Sequence, residues 1–338
     1  RISGTVQVLE ESSLEHLPAG VDGSAYQWLD VYGEGLAGVI TEAAEGWYFK
    51  RSLGDGRFEP IALLRERPGL GNLGAAGQQF LDLAGDGSQD LVLLGGGVQG
   101  YFESNGEGEW DDFRPFRHVP NVAWNDPNLR TIDLTGDGHA DVLVTLDDRL
   151  LWYPSLAEEG FDAPEWSCKP HEEHIGPALV FANGEQSIYL ADMTGDGLSD
   201  IVRVRNGSIC YWPSLGYGRF GPMVTMRDAP TVDWTDRFDQ RRVRLADIDG
   251  TGATDLIYLD AHGVSVWFNE SGNGWTAREQ LPAFPGIDNI VSVNATDLLG
   301  NGTACLVLSS PLPSDAGRPL RFVDLMGGVK PHLLRRVV

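Results

Sequence analysis

Cysteine is scarce in this chain. There are three in 338 residues, Cys168, Cys210 and Cys305, and no CxxC pair among them. So sparse and odd a set indicates neither a disulfide framework nor a zinc site built on paired thiolates. Long apolar runs are missing as well: with no stretch of about 18 apolar residues, no membrane-spanning helix is expected. Basic residues are outnumbered, 25 Lys and Arg against 49 Asp and Glu, which leaves a formal charge of −24. Nucleic-acid backbones and anionic membranes would repel such a chain, so neither is expected as a partner. No heptad pattern runs through it and no G-x-S-x-G is present, which removes the coiled-coil signature and the nucleophile elbow. The chain begins at Arg1 with no methionine or apolar leader and stops at Arg335-Arg-Val-Val338. It reads as a segment of a longer polypeptide.

What is abundant is glycine, 43 residues, with 19 prolines and 42% apolar residues. That mixture favours many short strands joined by tight turns around a full core. The glycines fall in a recurring acidic turn. Asp192-Met-Thr-Gly-Asp-Gly-Leu-Ser-Asp200 feeds the strand Ile201-Val-Arg-Val204, and Asp133–Asp141 and Asp82–Asp90 are close copies. Asp247-Ile-Asp-Gly-Thr-Gly-Ala-Thr-Asp255 is a variant. Asp30–Gly38 and Asp297–Cys305 are degenerate first and last members that lose the final aspartate.

From the first aspartate of a copy to a later aromatic the distance is 28 residues in five copies, ending at Phe58, Trp110, Phe161, Phe220 and Trp275. Starts of successive copies are separated by 52, 51, 59, 55 and 50 residues. A fixed unit joined by tolerant loops follows. Each unit reads as an acidic turn, a β-branched strand, a glycine hairpin such as Asn206-Gly207, an aromatic strand such as Tyr211-Trp212, a second glycine turn and a third strand. A fourth, outer strand is expected in the variable stretch, near Val224 or Ala62-Leu-Leu64. Four short strands with turns need roughly 40–50 residues, the length of a propeller blade. The expectation is therefore one all-β domain over residues 1–338, a six-bladed β-propeller of four-stranded blades, with seven blades the runner-up. Repeats start near 30, 82, 133, 192, 247 and 297. Ring closure would use the run near Val6-Gln-Val8 and the segment Leu320–Leu325, and would remove exposed sheet edges.

The acidic turns invite a calcium reading, since Ca²⁺ takes six to eight hard oxygens. The candidate ligands are Asp133, Asp137 and Asp141, Asp192, Asp196 and Asp200, and Asp247, Asp249 and Asp255. Against it, position 3 is Ala84, Thr135 or Thr194 in the other copies, and the terminal copies lose acids without losing the repeat. The alternative is that these side chains cap turns by accepting backbone N–H groups. That reading assigns no metal and no cofactor. Gly216-Tyr-Gly-Arg-Phe-Gly221 matches a dinucleotide pattern but lies where the other repeats turn, with no strand-to-helix context. His171-Glu-Glu-His174 lacks the i, i+4 spacing of helical zinc ligands and reads as a solvated loop. His118, His139 and His262 sit at no catalytic spacing, so no catalytic residue is assigned. Aromatic strands such as Trp152-Tyr153 could be sugar platforms, though large aromatics on strands more often pack blades.

Several strings resemble a known family. Asp126-Pro-Asn-Leu-Arg130 leading into the 133 turn, Gln186–Asp200, Cys210–Gly221, Phe238–Asp249 and Asp297–Cys305 are similar to FG-GAP/VCBS-type repeats. More specifically, they resemble the propeller (middle/N-terminal) region of the B subunit of bacterial insecticidal Tc toxin complexes, shared with SpvB-like virulence proteins. The likeness runs from about Trp28 to Leu334. It implies a non-enzymatic, secreted bacterial module with no membrane insertion of its own. Its partners would be the Tc toxin A-subunit pentamer, on which it docks and where it gates toxin translocation, and the C subunit with the Rhs cocoon. The alternative is a stand-alone extracellular adhesion or carbohydrate-binding propeller.

Overall fold

The computed structural model describes residues 2–328 apart from residue 3 and the stretches 18–25, 44–45, 65–67, 70–71, 74–76, 183–186, 235–236, 261–262, 282–283, 285–290 and 316. His262, Gln186, Pro18–Gly20 and the carboxy-terminal Arg335–Val338 lie outside the described residues. Six antiparallel four-stranded sheets form a six-bladed propeller. Among the described residues the only α-helix is the single turn Glu11–Leu14.

Blade four shows the plan. Its strands are Ile188–Ala191, Asp200–Arg205, Ser208–Trp212 and Val224–Thr225, hydrogen-bonded in chain order. Asp192–Ser199, the acidic turn, joins the first two. It thus sits inside the sheet as the first hairpin, and the innermost strand precedes it. The sequence reading put the turn at the head of the unit, because that first strand is four residues long with a weak alternation. Tyr189 OH donates to Gln240 O at 2.9 Å and Arg244 Nε to Val293 O at 2.8 Å, so first strands face successive blades around the ring. Gly207 takes φ +78°, which lets Asn206-Gly207 close the second hairpin tightly.

In the second strands, side-chain alternation feeds two blade interfaces at once. Val142 and Val144 enter the apolar cluster shared with blade two, while Leu143, between them, enters the cluster shared with blade four. Among the described residues there are six such clusters, one for each pair of adjacent blades. Because both faces are covered, these strands read as unbroken apolar runs rather than alternating ones. The sixth sheet is completed by the other end of the chain. Gln7–Val8 pairs antiparallel with Leu320–Asp324, Gln7 opposite Phe322 and Val8 opposite Arg321.

The aromatic that ends the 28-residue span lies outside the four-stranded sheets; in blade one Phe58 pairs with Ser52 in a separate two-stranded sheet. Phe161, Phe220 and Trp275 make single bridges to Ser155, Ser214 and Asn269, closing a small hairpin between the third and fourth strands. That hairpin and the acidic turn emerge at the same end of the blade.

Candidate functional site

Around one rim of the ring stand the acidic turns, and each carboxylate has a defined task. Asp192 Oδ1 accepts from Gly195 N at 2.7 Å and its Oδ2 from Gly197 N at 2.7 Å. The same pair of bonds recurs at Asp82, Asp133, Asp247 and Asp297. Both glycines have positive φ, +81° and +87° in this turn, which aims successive N–H groups at one carboxylate. The fifth-position acid caps locally: Asp196 Oδ1 accepts from Leu198 N at 2.9 Å.

The ninth-position aspartate is different. Asp200 is wholly buried, accepting from Met193 N at 3.0 Å and from Ser214 N at 2.8 Å. It therefore ties the first hairpin of the blade to the start of the small hairpin after the third strand. Asp90, Asp141 and Asp255 repeat this strut, with Ser104, Ser155 and Asn269 as the far donors. Burial raises all four carboxyls above the usual range, to about 6 for Asp90, Asp141 and Asp200 and about 7 for Asp255. The two N–H donors of each pull in the opposite direction and lose to desolvation.

Among the described residues only the fifth turn brings three carboxylates together for a cation. Oxygens of Asp247, Asp249 and Asp255 lie within 4.8 Å of one another. Asp249 supplies the third acid that Ala84, Thr135 and Thr194 do not. These oxygens already accept backbone N–H groups, Asp247 from Gly250 and Gly252, Asp249 from Thr251, and Asp255 from Ile248 and Asn269. Each carboxylate retains lone pairs, so an ion could be shared, but three carboxylates fall short of the six to eight oxygens calcium takes without carbonyl or water ligands. For Asp133, Asp137 and Asp141, and for Asp192, Asp196 and Asp200, the donors that fill the carboxylates are likewise backbone N–H groups.

The remaining sequence candidates fall into structural places. Gly216–Gly221 is the small hairpin of blade four, with Leu215 N donating to Arg219 O at 2.8 Å and Tyr217 N to Leu134 O of blade three. His174 Nε2 lies 3.0 Å from Glu172, while Glu173 turns inward. Glu173 Oε2 accepts from the buried Arg203 at 2.8 Å, and its carbonyl accepts from Trp212 Nε1 at 2.7 Å. The stretch expected to be a solvated loop thus carries a strut into the core, which no local spacing signals. Trp152, Tyr153, Tyr211 and Trp212 are buried in blade interfaces and offer no sugar platform. Among the described residues the exposed aromatics are Trp166, Tyr217 and Trp234; Tyr217 lies in the Gly216–Gly221 hairpin and the other two on no sequence-assigned site.

Comparisons with known proteins agree with this geometry. The FG-GAP-like repeat family matches residues 82–144 and 247–307. The chain is similar to the Photorhabdus luminescens Tc holotoxin pore (TccC3-D651A mutant), at 27% identity and a TM-score of 0.82, over 98% of this chain and 15% of that one. The TcdB2-TccC3-Cdc42 crystal structure is similar at 24% identity and a TM-score of 0.60, over 98% and 15%. An Agrocybe aegerita lectin that recognises non-reducing terminal N-acetylglucosamine shares the fold at 18% identity and a TM-score of 0.59, over 84% and 74%. No curated protein matches. The resemblance to the propeller of a Tc toxin B subunit therefore stands, and this chain spans about 15% of the length of those toxin structures.

Proposed function

We propose that this chain is the protein-docking and gating propeller of a Tc toxin B subunit, binding the channel-forming A-subunit pentamer and controlling passage of the toxic segment held by the C subunit and the Rhs cocoon. The observation that supports this reading is the likeness to the Tc holotoxin across 98% of the chain at 27% identity. The role is non-enzymatic: the recurring carboxylates hold backbone N–H groups of their own blade, and the work is done by shape and surface. The setting is secreted and bacterial, and no helix among the described residues is long and apolar enough to cross a membrane.

Immobilised chain and a purified A-subunit pentamer from a Tc toxin, measured by interferometry, test the proposal. Association at micromolar concentration or tighter is expected, and its absence there would overturn the docking role. The carbohydrate-binding alternative loses part of its support because Trp152, Tyr153, Tyr211 and Trp212 are buried, Trp166 being an exposed strand aromatic, and the lectin likeness carries the fold alone.

A further inference from the structure

In the link between blades four and five, residues 231–234 with Arg237 and Arg242 border a crevice of about 720 Å³ that the acidic turns do not touch. The backbone from Val232 to Trp234 is firmly held. Asn206 Oδ1 accepts from Val232 N at 2.8 Å, and Asn206 Nδ2 donates to Asp233 O at 2.7 Å. Trp234 N donates to Asp233 Oδ1 at 2.7 Å, and Trp234 O accepts from Arg237 N at 2.8 Å and Phe238 N at 3.1 Å. On this fixed backbone the Trp234 side chain is 74% exposed, the most exposed large apolar group among the described residues.

Three guanidiniums line the same crevice. Arg278 is engaged, with its Nε and Nη2 on Ser265 Oγ and its Nη2 3.6 Å from Asp260. Arg237 and Arg242 make no side-chain hydrogen bond and no ion pair among the described residues. Among the described residues Asp233 and Asp260 are the lining acids, and the first is committed to Trp234 N and lies 3.5 Å from Tyr258 OH. Arg242 does interact electrostatically with Asp239 and Tyr258. Two arginines with no side-chain hydrogen bond or ion pair among the described residues, standing beside a bare tryptophan, are an unusual holding for a chain of charge −24.

A sister link shows that the fold does not require this. Pro120-Asn-Val-Ala-Trp-Asn-Asp126 and Pro230-Thr-Val-Asp-Trp-Thr-Asp236 share the pattern Pro-x-Val-x-Trp-x-Asp. Trp124 is half-buried, its ring 6.1 Å from Phe161, and the crevice beside it is lined by glycines, Gln99, Val122 and Asn125 with no charged group. The same local pattern therefore packs its tryptophan in one link and leaves it standing beside guanidiniums in the other.

We propose that the Trp234 crevice docks an acidic segment of a protein partner. Carboxylates of the segment would bind Arg237 and Arg242, whose planar donors suit bidentate contacts, and an apolar side chain would lie against Trp234. Tryptophan and arginine are the residue types that carry most binding energy at protein interfaces. The negative field of the rest of the chain would repel an acidic segment elsewhere, so this patch also fixes where it lands. The inference rests on the docking reading only in taking the ligand to be a protein.

A fluorescein-labelled Glu-Leu repeat peptide and its Gln-Leu counterpart, followed by fluorescence anisotropy at low salt, provide the test. The acidic peptide should bind at least about tenfold more tightly than the neutral one. Arg237→Glu/Arg242→Glu should abolish that preference and Trp234→Ala should weaken binding about fivefold or more, with unchanged thermal melting. Should the charge reversal fail to fold, Arg237→Gln/Arg242→Gln and Trp234→Phe give the same reading with smaller losses. Equal affinity for the two peptides, undiminished binding by the arginine variants, or full displacement by equimolar inorganic phosphate would each overturn the proposal. A wild-type chain that binds the A-subunit pentamer but ignores the acidic peptide would overturn this inference alone. Peptide binding without A-subunit binding would overturn the docking role alone.

Discussion

Blades two to five and the two terminal blades treat the same pair of hairpins differently. In the middle blades a buried aspartate spans the gap, as Asp200 does between Met193 N and Ser214 N. Blade one has Gly38 at that position, and a Cβ there would lie 2.4 Å from Cζ of Phe49, whose ring fills the space. Its turn is tied instead at the surface, where Arg51 grips both carboxylate oxygens of Glu34 and stacks 4.5 Å over the Tyr32 ring. Blade six places the buried thiol of Cys305 where the carboxylate would be, and burial pushes that thiol up to about 12. The acid has moved across the strand pair to Asp324, the register partner of Cys305, where it accepts from Met326 N and Gly327 N. The buried carboxylate that spans both hairpins thus belongs to the middle blades, while blade one uses a surface ion pair and the Asp324 carboxylate of blade six caps the turn that follows it.

The largest test of this comparison removes the strut from a middle blade. Asp200→Ala leaves the N–H groups of Met193 and Ser214 buried without acceptors, and each orphaned donor costs about 1–3 kcal/mol. A loss of about 2–5 kcal/mol in urea unfolding, followed by tryptophan fluorescence, is expected. A loss below about 0.5 kcal/mol would show that the strut is dispensable and that the difference between blades has no energetic content. A smaller effect is expected from imposing the middle-blade residue on blade one. Gly38→Asp drives a side chain into the Phe49 ring and should cost about 1–3 kcal/mol, as overpacking of a filled core does. Adding Phe49→Ala to it should recover part of that loss if the ring is what excludes the carboxylate. No recovery in the double variant would place the obstacle in the nearby Lys50 carbonyl instead.

How far the sequence revealed this depends on the element. The constant 28-residue span was legible because its two ends belong to one joint. Asp192 opens the turn that Asp200 anchors, and Phe220 closes the small hairpin whose first residue, Ser214, donates to Asp200. Changing that length would break the bond, whereas the links between blades tolerate insertion. First strands such as Gln78–Leu81 and Tyr26–Leu29 were not legible, because four residues of mixed polarity take their conformation from neighbouring blades. The metal-like look of the turns came from the same carboxylates, for which the sequence offered both calcium and the capping of backbone N–H groups, and the bonds to Gly195 N and Gly197 N are of the second kind. Nor could it find the Trp234 crevice, whose charges arrive from segments more than thirty residues apart, at Arg237, Arg242 and Arg278.

The smallest expected effect is also the one that separates the two kinds of blade by pH. In blades two to four the strut carboxyls are raised to about 6 by burial, against an ordinary value of 3.8. Between those values the folded chain holds a proton that the unfolded chain has released, so stability falls as pH rises through that window. Above about pH 6 the penalty of a buried charge is fully present, and acidification to pH 5 relieves part of it. For one group the relief between pH 8 and pH 5 amounts to about 1 kcal/mol. Acidification also lowers the net negative charge, which acts in the same direction over the whole surface, so the measurement must be a difference between variants. Asp141→Asn keeps the shape and cannot titrate. The stability of wild type minus that of Asp141→Asn should therefore rise as pH falls from 8 to 5, whereas the same difference taken with Cys305→Ser in blade six should stay flat, its thiol remaining protonated throughout. A pH-independent Asp141 difference would mean that the two N–H donors outweigh desolvation and that the middle-blade struts are ordinary ionised caps.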